Sequence, residues 1–276
     1  MSEDIKIDKG GIHMVNHNPM SKEFQDEAKK RGLSGFQYMS YLTNKGKIYQ
    51  NYPGRIKQML IEKYKGKKLE DVINGKIIYT EKGMCYHIES QETINTINIG
   101  DKSIILDIET MGFSSVPIIL IGLAYIHDDN ILIDQYLSRN RNEEPAMLTA
   151  FVNRLIDSDS IITFNGRRFD IPFIEERLSF YKIEENLYNK IHYDALPLSR
   201  SAWKAKLPNC KLGTLEKQIL GIKRKDDVPS RSVPDFYRTY IKHKNVGPLV
   251  PIIDHNKQDL ITLAKIFSKL RKEDIK

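Results

Sequence analysis

The stretch Ser103-Ile104-Ile105-Leu106-Asp107-Ile108-Glu109-Thr110 decides how this chain is read. Its aliphatic residues follow one another closely enough to predict a strand buried on both faces. Side chains two apart on a strand point the same way, so Asp107 and Glu109 share one face among apolar neighbours. Burying carboxylates without cations is strongly unfavourable. One or two divalent ions held by oxygen ligands, as magnesium and manganese prefer, would answer that charge. The stretch therefore predicts a metal-dependent phosphoryl-transfer centre.

Two further acidic positions join it. Asp170 follows Phe164-Asn-Gly-Arg-Arg-Phe169 at the start of a predicted helix, where unpaired backbone donors and the helix dipole favour a carboxylate. Taken alone it also reads as a helix-start Asp. Asp259 lies in the helical stretch ending Leu260-Ile-Thr-Leu-Ala-Lys-Ile-Phe267, with His255 one turn earlier on the same face. Alone, that pair also reads as solvent-facing. The four carboxylates taken together, in this order on these elements, favour a common centre.

Working outward, residues 1 to about 20 are polar and predict a flexible start. Ser21 to Arg31 predicts a short charged helix, and Pro53 opens a second one running through Ile56, Met59, Leu60 and Tyr64. Residues 76–80 and 84–88 flank Glu81-Lys-Gly83 and predict a hairpin. Residues 1–98 are accordingly assigned to a small N-terminal α+β extension or module, and 99–276 to the main domain. In that domain 104–109, 118–126 and 131–137 predict successive strands, the last two joined at Asp128-Asp129-Asn130. Helix 143–156, strand 160–164, helix 169–181 and strand 191–194 follow, then helices near 195–206, 212–220, 236–244 and 248–271. The expected fold class is α/β, a mixed sheet with helices on both faces.

The chain has 276 residues and a formal charge of +7, which favours a polyanionic partner. Two cysteines, Cys85 and Cys210, form no Cys-x-x-Cys pair and predict neither a disulfide framework nor a zinc knuckle. The longest apolar run, Val116 to Ile126, is too short for a membrane span and is broken by Pro117 and Gly122. With no signal-peptide apolar region at Met1-Ser-Glu-Asp-Ile-Lys6, the expectation is a cytoplasmic protein, monomeric by default, with no membrane partner. Neither a Gly-x-Gly-x-x-Gly nor a Gly-x-x-x-x-Gly-Lys-Ser/Thr loop is present, which argues against a nucleotide-binding oxidoreductase or ATPase.

Asp107-Ile-Glu109, Asn165-x-x-x-Phe169-Asp170 and His255-x-x-x-Asp259 resemble the three motifs of the DEDD (DnaQ-like) exonuclease superfamily, which has a ribonuclease-H-like fold. Trp203 to Gly221, Asp227-Val-Pro229, Pro234-x-x-Tyr237 and His255-Asn-x-x-Asp259-Leu-Ile-Thr-Leu263 resemble the YprB-like group within it, over about residues 102–271. One departure is that His255 stands at the spacing where that superfamily usually has Tyr. The resemblance implies a 3′-to-5′ exonuclease acting on a nucleic-acid 3′ end, DNA or RNA, and releasing nucleoside 5′-monophosphates. It implies that Asp107, Glu109, Asp170 and Asp259 hold two Mg²⁺ or Mn²⁺ ions, with His255 as general base or orienting group. Thr110, Phe113 and Asn165 are the candidate substrate contacts, Phe113 as a residue that stacks on a terminal base or packs in a loop. The alternative is a nucleic-acid-binding or scaffold protein on the same fold without turnover.

Remaining features carry less. Asp194 is expected to orient a neighbour and Trp203 to pack in the core. His13, His17, His87, His127, His192 and His243 lack ligand spacing and are expected to be incidental. Basic residues cluster from Lys45 to Lys68 and between Arg200 and Lys244, and beside a phosphodiesterase-like centre they predict contacts to a phosphate backbone.

Overall fold

The computed structural model describes residues 22–32, 38, 52–94, 97–112, 115–224 and 228–273. Seven strands form one mixed sheet: β1 (Lys76–Thr80), β2 (Gly83–Thr93), β3 (Ser103–Thr110), β4 (Ile118–His127), β5 (Asn130–Leu137), β6 (Ser160–Thr163) and β7 (Ile191–Asp194). Their order is β1-β2-β5-β4-β3-β6-β7. The first five pair antiparallel, and β3, β6 and β7 run parallel. The described helices are α1 (Lys22–Lys30), α2 (Tyr52–Lys63), α3 (Glu144–Leu155), α4 (Asp170–Tyr181), α5 (Ala195–Trp203), α6 (Leu212–Ile219), α7 (Val233–His243) and α8 (Val250–Glu273). This is the expected α/β arrangement of a mixed sheet flanked by helices. Among the described residues no helix is long and apolar enough to cross a membrane.

Residue parity on β3 sorts the two faces. Ile104, Leu106 and Ile108 pack with Met147 and Phe151 of α3 and Ile174 of α4. Ile105 points the other way, toward Leu260, Leu263 and Ile266 of α8 and Leu215 of α6. Asp107 and Glu109 share the parity of Ile105 and so belong to the α8 face. On the opposite face, Glu144 is fully buried but not isolated. Its carboxylate accepts from the Ile118 backbone N–H at 2.9 Å, from Arg177 at 2.8 and 2.7 Å and from the Tyr181 hydroxyl at 2.9 Å. Saturated in this way, a buried ion pair ties α3 and α4 to the start of β4.

The hairpin β1–β2 turns at Gly83, which adopts the positive φ its position demands. It adds to the edge of β5, so the boundary drawn at residues 98 and 99 falls within one continuous sheet. The N-terminal helices join the same body. Ala28, Ile56 and Leu60 share a core with Tyr86, Leu120, Phe236 and Ile252.

α8 lies unusually close to the sheet at Gly122, which pairs directly with Asp107 on β3 and Gln135 on β5. A Cβ on Gly122 would collide with Asn256 Oδ1 and stand 2.8 Å from Leu260 Cδ1. An isolated glycine in a strand marks such a close approach. Gly122→Ala should therefore overpack this contact by about 1–3 kcal/mol. That corresponds to a Tm lowered by roughly 2–4 °C per kcal/mol in a chain of this size. An unchanged melting curve would show that α8 does not lie this close.

Candidate active site

β3 ends in a register shift between Glu109 and Thr110, beside the carboxylates it presents. Parallel pairing with β6 brings the chain that leaves β6 alongside that end, and α4 opens there with Asp170 as its first residue. From the other side, α8 presents His255, Asn256 and Asp259. Glu109, Asp170 and His255 are buried, and Asp107 and Asp259 partly so.

Electrostatics tie these groups together. Burial raises the Asp107 carboxyl well above the usual range, reinforced by the negative fields of Asp259, Glu109 and Asp170 and opposed by His255. Asp170 is pushed up to about 7, again mainly by burial. The backbone N–H groups of Asp170 itself and of Ile108 donate to it and oppose that rise, while Asp194 and Asp259 add to it. His255 Nε2 lies 3.9 Å from Glu109 Oε1 and 3.7 Å from Asp259 Oδ2. Its Nδ1 is 3.4 Å from an Arg224 nitrogen. A guanidinium only donates, so in that contact Nδ1 accepts and a neutral ring carries its proton on Nε2.

The structure thus gathers Asp107, Glu109, Asp170, His255 and Asp259 into one electrostatic unit. It does not close the carboxylates into a tight cage. Among the described residues, the group of three whose ligand atoms all lie within 4.8 Å of one another is His87, Glu89 and Asp134. The four acidic side chains stand wider than that, and Arg224 pairs with Asp259. Even so, the donor set of carboxylate oxygens suits hard divalent cations, and burial together with the neighbouring acids makes Asp107 and Asp170 hold their protons unusually tightly.

The other candidate contacts are less central. Thr110 is buried and its hydroxyl donates to the Gly112 carbonyl at 2.6 Å. Asn165 has a left-handed backbone and gives its N–H to Asp194 Oδ1 at 2.8 Å. Phe113 lies outside the described residues, as do Lys45 and Lys47 of the first basic cluster. Asp194 also caps α5 through the Leu196 N–H and accepts from the Arg167 N–H, so it orients the loop that precedes Asp170. Trp203 packs in the core as expected.

Sequence reasoning does not place several residues that build this site, Arg224 being read only as part of a basic cluster that contacts a phosphate backbone. Asn256 Nδ2 donates to Asp107 Oδ2 at 2.8 Å and to its carbonyl at 3.1 Å, and Gln135 Nε2 donates to Asn256 Oδ1 at 2.8 Å. Asn256 sits over the Gly122 gap and fixes Asp107 from above. Arg224 spans Asp259 and the buried Glu216, which also accepts from Gln258 and Thr262. Ser230 Oγ is 3.1 Å from His255 Nε2. The one legible signal is Gly122, a lone glycine within an apolar strand.

His87 requires a correction, because it is not incidental. It is buried, stacked on Tyr136 at 4.7 Å, and bonded through Nε2 to Asp134 at 2.9 Å. Asp134 is held below the usual carboxylate range by His87 and Arg154, against the effect of its own burial. Its neighbour Glu89 pairs with Lys76 at 2.8 Å. With both carboxylates already matched by cations, this group reads as a structural network between β2, β5 and α3.

Comparison with known proteins agrees with this architecture. A family model described as RNase_H superfamily matches residues 104–271. The uncharacterized protein YprB of Bacillus subtilis (strain 168) is 29% identical over 214 residues, an alignment covering 76% of this chain and 50% of that protein. The chain therefore spans about half the length of that relative. Among solved structures, the family B DNA polymerase of the hyperthermophilic archaeon Pyrobaculum calidifontis aligns over 69% of this chain and 29% of its own, with a TM-score of 0.45 and 11% identity. The expected ribonuclease-H-like fold and the likeness to the YprB-like group are both borne out. With its match covering most of the sheet and the helices that close over it, the chain belongs to the RNase_H superfamily.

Proposed function

We propose that the protein is a metal-dependent nuclease that hydrolyses nucleic-acid phosphodiesters, acting from the 3′ end. Membership of the RNase_H superfamily suggests nuclease chemistry. The observation that carries the proposal is the carboxyl of Asp107, which stands on the α8 face of β3 and is raised well above the usual range by burial and by the fields of Asp259, Glu109 and Asp170.

In this reading Asp107, Glu109, Asp170 and Asp259 hold two Mg²⁺ or Mn²⁺ ions. Such ions lower the pKa of a bound water toward neutrality and neutralise charge growing on a leaving oxygen. The chain's own groups do the rest. Asn256 keeps Asp107 in one rotamer by donating to both its carboxylate and its carbonyl. His255 stands between Glu109 and Asp259, within reach of a water in that space, and imidazole exchanges a proton near neutral pH. Arg224, anchored on Glu216, holds positive charge against Asp259. Released toward substrate, its fork suits a phosphate.

Asp107→Ala and Asp259→Ala should each abolish metal-dependent cleavage of end-labelled DNA or RNA and leave binding largely intact. Wild-type turnover in either variant would refute the assignment, and a ladder growing from the 5′ end would refute the polarity.

The raised acidities give a second test. In the unfolded chain an Asp ionises near 3.9. As pH rises from about 4 to 7, the unfolded state loses its proton from Asp170 while the folded state keeps it. Folding stability without metal should therefore fall across that window. Cation binding needs ionised carboxylates, so added Mg²⁺ or Mn²⁺ should raise Tm more at about pH 8 than at about pH 5. Thermal scans at both pH values, with and without metal, read this directly. Equal shifts at the two pH values would contradict the site.

A further inference from the structure

Beside the acidic cluster, at the C-terminal ends of β6 and β7, a half-open groove of about 400 Å³ runs between the loop entering α4 and the first turns of α5. Its walls carry Arg167, Arg168 and Arg200 together with Tyr193 and Leu198. All three arginines are exposed, and among the described residues neither Arg168 nor Arg200 makes an ion pair. The carboxylate in the wall, Asp194, is turned onto the backbone N–H groups of Asn165, Arg167 and Leu196. Among the described residues it is the one carboxylate in the lining against three arginines, so the groove presents net positive charge. Tyr193 keeps 42% of its surface exposed while its ring is backed by Phe267 at 5.6 Å. β7 is the last strand of the sheet, so no neighbouring strand covers this side.

We infer that this groove binds a single nucleic-acid strand, with the three arginines on its phosphates and Tyr193 stacked on an unpaired base. Guanidinium forks match phosphate oxygens in geometry as well as charge. Aromatic rings beside a basic track are how proteins hold single strands without reading sequence, because every base offers a face. A groove of this volume takes a ligand of nucleotide size. A duplex would keep its bases paired and away from the ring. Arg168 stands two residues before Asp170, so a strand lying in the groove is led to the acidic cluster. The inference deepens the proposed nuclease function by naming its substrate class, single-stranded polynucleotide, and rests on that reading for the polymer's identity.

The test is equilibrium binding of fluorescently labelled single-stranded DNA, single-stranded RNA and duplex DNA to the full chain in EDTA. It compares wild type with Arg168→Glu/Arg200→Glu and with Tyr193→Ala, each checked for a native circular-dichroism spectrum. The charge reversals should weaken single-strand binding by about tenfold or more. They should also flatten its salt dependence by about 0.7 in log–log slope for each phosphate that is no longer neutralised. Tyr193→Ala should weaken binding with the salt slope unchanged. Equal weakening for DNA and RNA places the interaction on the shared backbone and bases, and weakening for one alone identifies the strand that the groove takes. Wild-type binding by both variants, or tighter binding of duplex than of single strands, would overturn the inference. Hydrolysis is scored separately. Cleavage by wild type with binding undisturbed in the groove variants removes the groove and leaves the nuclease. Absence of cleavage by wild type, with binding abolished in the groove variants, does the reverse.

Discussion

A concentration of negative charge at the end of β3, roofed by α8, is the constraint on which the rest of this structure depends. Four carboxylates crowd toward one another, and burial makes Asp107 and Asp170 harder to ionise. Left to themselves they would turn outward into water. They are retained because the protein surrounds them with directed donors: the Asn256 amide on Asp107, backbone N–H groups on Asp170, and Arg224 on Asp259. The side-chain donors are themselves anchored. Asn256 is held by Gln135 and seated over Gly122, and Arg224 is braced on Glu216. Loss of a supporting residue would reach the carboxylates through these intermediates rather than through direct contact.

The same logic governs the other buried charges. Glu144 on the far face, and Asp134 beside His87, lie in environments as unfavourable to a lone carboxylate as the space around Asp107. Both are matched by arginine, and Glu144 also accepts a backbone N–H and a tyrosine hydroxyl. Those two sites are locally neutral and serve the architecture. The cluster at β3 differs in that, among the described residues, four acids converge where Arg224 and His255 also stand, a carboxylate-rich group of the kind that suits a divalent ion.

Most of the architecture is legible along the chain. The aliphatic runs of β3, β4 and β5, the turn at Asp128-Asp129 and the amphipathic stretches of α3 and α8 carry their periodicity locally, and local signals survive folding. The front hairpin is legible as a hairpin, but its attachment to β5 is not, since pairing across residues 86 to 137 leaves no mark on either segment. Asn256 stands inside the His255–Leu263 motif without a role, because its partners Asp107 and Gln135 are more than a hundred residues away. Arg224 lies within a basic run that reads as a contact to a phosphate backbone, and only the folded chain turns it onto Asp259 and Glu216. His87 lacks ligand spacing and reads as incidental, yet strand pairing buries it against Asp134.

Composition and periodicity by themselves determined the α/β class and the order of the elements, and motif spacing picked out four acidic residues as candidates, because each depends on neighbours within a few positions. Strand parity alone placed Asp107 and Glu109 on one face. Tertiary structure decided what opposes that face, how far apart the carboxylates stand, which cations reach them, and that a basic, aromatic groove opens beside them. Those outcomes depend on contacts between segments distant in the chain, whose distances are set by packing and by where a glycine lets a helix approach a sheet.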